Sequence, residues 1–166
     1  MTNLKEELTL KEKLQILKER AEADNQIDWE AEKEKWLNSV AKLYQTIENW
    51  LEELITEGYV QITQKIITIS EEKVGCYQIP QLEMAYANKI AILEPIAIDM
   101  PFAKGMIEFY IKGDKRGGYT LLLWKDDEDH DDWKFYNERA LGPKIRPFNH
   151  ALFEETLENW LTQFLC

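Results

Sequence analysis

"WLEELITEGYVQITQKIITIS", residues 50–70, holds the point at which the chain changes its period. Up to Gly58 the apolar residues recur by four and three. Trp36, Val40, Leu43, Ile47, Trp50 and Leu54 form one row, and Trp29 extends it a heptad upstream. That spacing predicts a helix, and Gly58 stands where a left-handed terminating residue is expected. Beyond Gly58 the runs are short, rich in Val, Ile, Thr and Tyr, and separated by turn signals. They are "YVQIT", "KIITIS", "YQIPQLEMAY", "KIAILEPIAI", "GMIEFYIK", "YTLLLW" and "WKFYNER", with breaks at "EEKVG", "AYANK", "FAKG" and "KGDKRGG". Connections this short join antiparallel neighbours, since a parallel crossover needs about a dozen residues or more. The fold class expected is α+β with an antiparallel meander of five to seven strands. Pro80 and Pro95 fall inside strand-like runs and so belong at edges or bulges.

Upstream, Thr9 and Glu12 have the spacing of a capping box, and Leu10, Leu14, Leu17 and Ala21 follow at helical intervals. A first helix is expected over about residues 10–23. Asp28 is a plausible N-cap for the second, long helix, which at 29–57 would measure about 43 Å. Its apolar row could pair with a second copy, giving a homodimer through 29–57. Packing on its own sheet and on the first helix is preferred, because fewer than four heptads are present. Downstream, "LGPKIRPF" reads as a linker. Asn149 caps a C-terminal helix over 149–165, with Phe148 and Phe153 placed as a hydrophobic staple. The domain expected is thus one unit over 1–166: a helical segment at 1–58, a sheet at 59–140, and a final helix packed on the sheet.

A chain of 166 residues with 45% apolar and 11% aromatic residues can bury a sizeable core. Its start lacks the basic and apolar regions of a signal peptide, and no apolar run approaches the roughly 20 residues of a membrane span. Cys76 and Cys166 make no disulfide framework, so a cytoplasmic protein with free thiols is expected, and no membrane partner. The net charge of −11 is concentrated. Residues 1–58 carry 14 acids and 8 bases, and residues 124–133 carry 6 acids and 1 base. Such a surface repels phosphate backbones, which argues against nucleic acid and favours a basic protein partner.

"WKDDEDHDDW", residues 124–133, is the sharpest candidate for a site. Asp126, Asp127, Glu128, Asp129, Asp131 and Asp132 form the expected interaction surface. Asp127, Asp129 and Asp131 also match positions 1, 3 and 5 of a calcium loop, with Glu138 at position 12. Against that, position 6 is Asp132 where the turn calls for glycine, and the flanks read as strands. If Trp124 pairs with Trp133 across a hairpin, Leu122 faces Phe135 and Thr120 faces Asn137. Glu138 then lies about 17 Å down the strand. A cation there would have loop aspartates alone, so no cofactor is expected, with a divalent cation as the alternative. His130 sits within the run, where its neighbours favour the protonated form.

Other chemistry is thinly supplied. Cys76 could serve as a nucleophile with His150 as base, but nothing in the sequence unites them. "ISEEK" places Glu71 and Lys73 at a strand end, similar to the E-x-K half of a metal-dependent nuclease pattern. The aspartate that such a pattern needs on the preceding strand is missing from "YVQIT". The function expected is a non-enzymatic protein-interaction module. The alternative is a divalent-metal protein or nuclease-like enzyme using acidic residues.

Overall fold

A computed structural model describes residues 8–25, 27–124 and 131–162. Helix α1 spans Leu10–Asn25 and α2 spans Trp29–Trp50. Both N-caps act as their sequences suggest. The Glu12 amide donates to Thr9 Oγ1 at 3.2 Å, and the Ala31 amide donates to Asp28 Oδ1 at 3.1 Å. The long helix ends earlier than its apolar row. Leu51 leaves helical geometry at φ −98° and ψ 3°, and a separate turn, α3, covers Glu52–Thr56. Leu51 is fully buried, so the break turns its side chain into the core and redirects the chain toward the sheet. Gly58 then closes α3 at φ +84°, with the Tyr59 amide donating to the Leu54 carbonyl.

Seven strands form one antiparallel meander in the order β1 to β7. They are β1 Val60–Glu71, β2 Gly75–Tyr86, β3 Lys89–Ala97, β4 Ala103–Ile111, β5 Asp114–Trp124, β6 Trp133–Tyr136 and β7 Ile145–Pro147. The composition of the sheet differs from the sequence reading at several points. "YVQIT" and "KIITIS" are one continuous strand, and the "linker" supplies β7. The breaks at "FAKG" and "KGDKRGG" lie mostly within β4 and β5, leaving only Lys112–Gly113 as the hairpin turn.

The hairpin that closes on the acidic stretch also differs. Leu123 faces Trp133, Leu121 faces Phe135 and Thr120 faces Tyr136, one residue from the expected register. Trp124 is only half-buried, and its amide donates to the Asp132 carbonyl. Three consecutive leucines at 121–123 leave the alternation ambiguous. Burial decides it, because Leu121 and Leu123 share the covered face with Ile107 and Phe109 of β4. The two tryptophans are therefore not a cross-strand pair.

One face of the sheet carries Leu82, Met84, Leu93, Ile107, Phe109 and Leu121, all fully buried. Helix α2 lies on it with Trp36, Val40, Leu43 and Ile47 inward. The row read as a candidate seam with a second copy thus faces the chain's own sheet. Helix α4, His150–Thr162, joins it. The Leu152 amide donates to Asn149 Oδ1 at 2.9 Å, and the Phe148 and Phe153 rings meet edge-on at 6.1 Å. Phe109 stacks on Phe153 at 5.8 Å and meets Trp160 edge-on at 4.9 Å. Each such aromatic or aliphatic side chain contributes about 1.5–3 kcal/mol by leaving water.

Pro80 and Pro95 sit as their chemistry requires. β3 pairs with β2 only as far as Leu82, so Pro80 lies where β2 has no second neighbour, and Pro95 opens a bulge in β3. The Tyr44 hydroxyl sits where the two strands part, donating to the Pro80 carbonyl at 2.7 Å and lying 3.4 Å from that of Leu93. Past this fork the buried side of β2 changes parity, from Leu82, Met84 and Tyr86 to Tyr77 and Ile79.

Candidate functional site

The acidic stretch is only partly within the described residues. Asp126, Asp127, Glu128, Asp129 and His130 lie outside them. Asp131 accepts a hydrogen bond from Ser39 Oγ at 3.0 Å, which ties the stretch to α2. Asp132 pairs with Lys134 at 3.3 Å. Glu138 lies beyond β6 and lines a cavity on the opposite face with Tyr136 and Arg139, whereas Asp131 and Asp132 border one with Lys42 and Trp50. Among the described residues, no group of three or more His, Cys, Asp or Glu is placed to hold a metal ion.

Glu71 is occupied otherwise than the nuclease-like reading would have it. Its carboxylate accepts from the Tyr77 hydroxyl at 2.7 Å and from the amides of Ile98 and Asp99 at 3.0 Å. It thereby clamps the tip of the first hairpin to the β3–β4 connection. Burial, reinforced by this carboxylate, pushes the Tyr77 hydroxyl well above its ordinary range. Cys76 and His150 also have separate partners. Cys76 Sγ lies 3.5 Å from Ser70 Oγ on the neighbouring strand. His150 stacks on Trp50 at 5.2 Å and meets Glu154 at 2.6 Å, both near the start of α4.

The face of the sheet away from α2 and α4 carries a polar cluster. Glu94 and Glu108 stand directly opposite one another on β3 and β4. Lys115 bridges them, at 3.5 Å and 3.0 Å respectively, and the Tyr110 hydroxyl donates to Glu94 at 2.6 Å. The bond to Glu108 is the main reason that Lys115 holds its proton more tightly than usual. Burial and the Glu94 bond push Tyr110 up. These groups adjoin a cavity of about 470 Å³; Lys115 pairs with both carboxylates, while Glu108 Oε2, buried, lacks a well-directed hydrogen bond beyond that ion pair. Arg139 likewise donates both guanidinium ends inward, to the carbonyls of Arg116 and Gly118.

Helix α1 is the element whose apolar row nothing among the described residues covers. Every side chain from Leu10 to Glu22 is exposed. Leu10, Leu14 and Leu17, the row that predicted the helix, are 72%, 55% and 58% exposed, and Ile16 beside them is 37% exposed. None belongs to the core cluster or to the apolar shell packed against it. The expectation that the long helix would pack on the first helix as well as on the sheet is thus not met: α2 and α4 cover the sheet face, and the α1 row stays exposed. Where α1 gives way to α2, a cleft of about 610 Å³ opens, lined by Ile27, Trp29, Ile98, Met100 and Pro101 among others. Sequence reasoning found the leucine row but assigned it inward. The missing signal was the competing, wider apolar face of α2.

No protein-family model, no curated protein and no solved structure matches this chain. No helix among the described residues is long and apolar enough to cross a membrane.

Proposed function

We propose that this chain is a non-enzymatic protein-interaction domain that engages its partner through α1. The observation that supports this reading is the exposed row of Leu10, Leu14 and Leu17 on a 16-residue helix. A helix of this length is marginal alone in water, and most helices draw their stability from packing an apolar face. Here that face is left open, and binding would cover it. Scattered exposed leucines are ordinary, whereas a contiguous stripe on one helix marks a contact surface.

The polar networks inside the molecule support the same reading. Glu71, Glu94, Glu108 and Arg139 are all engaged in holding strands and loops together. The test compares the wild-type chain with a Leu14→Glu, Leu17→Glu double variant as bait in a lysate of its source cells. A protein retained by the wild type and lost by the variant, at unchanged melting temperature, is the expected result. Equal retention by both, or retention by neither, sinks the proposal.

A further inference from the structure

We infer that the partner of α1 is a helix whose own aliphatic stripe is flanked by acidic side chains. This rests on α1 being the docking element and adds the chemistry of what docks. The placement of charge about the leucine row carries this inference. With Leu10, Leu14, Leu17 and Ala21 as the seam, the positions bordering it on either side are Lys11, Lys13, Lys18 and Arg20. All four are bases. Of the acids of α1, Glu12, Glu19 and Glu22 fall on the back of the helix, and Asp24 stands three positions after Ala21, where the leucine row ends. In a chain of net charge −11, this is a cationic frame around an exposed apolar stripe.

Flanking charges of this kind select partners by what they repel as much as by what they attract. A second copy of α1 is disfavoured in either orientation. In a parallel pair, Lys13 of one helix would face Lys18 of the other, and in an antiparallel pair Lys and Arg again meet only Lys and Arg. An anionic lipid surface fits less well than a helix. The polar side of α1 is not uniformly basic, since Glu12, Glu19 and Glu22 lie on it, and the stripe holds no aromatic anchor. A helix bearing Glu or Asp at its flanking positions meets every one of the four bases with the opposite charge.

The experiment uses the full chain and two fluorescently labelled three-heptad peptides. Both carry Ile and Leu at the seam; one has Glu at every flanking position and the other Lys. Fluorescence anisotropy at low ionic strength is expected to show the Glu peptide binding at least about tenfold tighter than the Lys peptide. Its binding should weaken in about 0.5 M NaCl, where screening reaches only a few ångströms. In a variant carrying Lys11→Glu, Lys13→Glu, Lys18→Glu and Arg20→Glu, with helicity checked by circular dichroism, the preference should invert. Equal binding of both peptides, abolished by Leu14→Glu, would overturn the acidic partner while leaving α1 as the docking element. No binding of either peptide would overturn the helical partner itself. Two further results would overturn the inference. One is capture of the wild-type chain by phosphatidylcholine–phosphatidylserine vesicles with neither peptide bound. The other is sedimentation showing a dimer that Leu14→Glu dissolves.

Discussion

Gly105 lacks a side chain where the ring of Trp36 needs the room. A methyl group there would stand 2.2 Å from Trp36 Cζ3, and Trp36 is 1% exposed with Trp133 packed against it at 6.0 Å. Neither ring has solvent to move into, so the strain must be taken up by β4 or by α2. Gly105→Ala is expected to cost about 1–3 kcal/mol as overpacking, seen as a lower urea midpoint at unchanged slope. Gly142→Ala is the control. Nothing lies within 4 Å of its added methyl, and its midpoint should move by no more than about 0.5 kcal/mol. The glycine was visible in the sequence as a break before a strand. That it serves a tryptophan some seventy positions earlier follows only from the packing of α2 across β4.

Among the elements, α1 and α4 share a sequence pattern but not a fate: the α1 row is exposed and that of α4 is buried. Both show a capping residue and an apolar row. Helix α4 also has Phe148 and Phe153, whose rings lock its entry angle onto Phe109 and Trp50. The cap is coupled to that packing, because Asn149 lies between the staple and the first buried turn. Asn149→Ala should therefore destabilise the whole fold by about 1 kcal/mol. Chemical denaturation followed by tryptophan emission checks this, since Trp160 of α4 is buried in the core. The cap of α1 was as legible as that of α4, but its row is narrower and flanked closely by charge. Reading both rows as core overlooked that one sheet face accommodates only as many helices as its width allows.

Across the whole molecule, two tyrosines tie helices to the sheet and a third ties the first hairpin together. Tyr44 donates from α2 to the β2–β3 fork, Tyr77 donates to Glu71 on the first hairpin, and Tyr86 donates to the Leu157 carbonyl of α4 at 3.1 Å. Burial raises all three hydroxyls, Tyr86 to about 12. Below the ordinary tyrosine value of about 10 both states are protonated, so the stabilisation is fully present. Above it the unfolded chain loses protons that the folded chain keeps, and stability falls as pH rises. Denaturant midpoints should be level with respect to these groups up to about pH 10 and then fall steeply toward pH 12. Tyr86→Phe should make that fall shallower. An unchanged slope in Tyr86→Phe would show that its hydroxyl is not held neutral by the fold.

The order of the helices and the sheet, the antiparallel meander and the three helix N-caps at Thr9, Asp28 and Asn149 could be read along the chain, because each depends on neighbours within about four residues or on the length of a connection. The registers could not. Three leucines in succession at 121–123 allow either alternation, and only the covered face of β4 chooses between them. The acidic stretch shows the same limit of local reading. "WKDDEDHDDW" carries nearly half the net charge and drew the functional reading, yet Asp131 is tied to Ser39 and Asp132 to Lys134. The leucines of α1 looked like core. Local spacing determined that residues 10–25 form a helix with one apolar side. Competition among helices for a single sheet face, a tertiary quantity, decided that this side would remain outside.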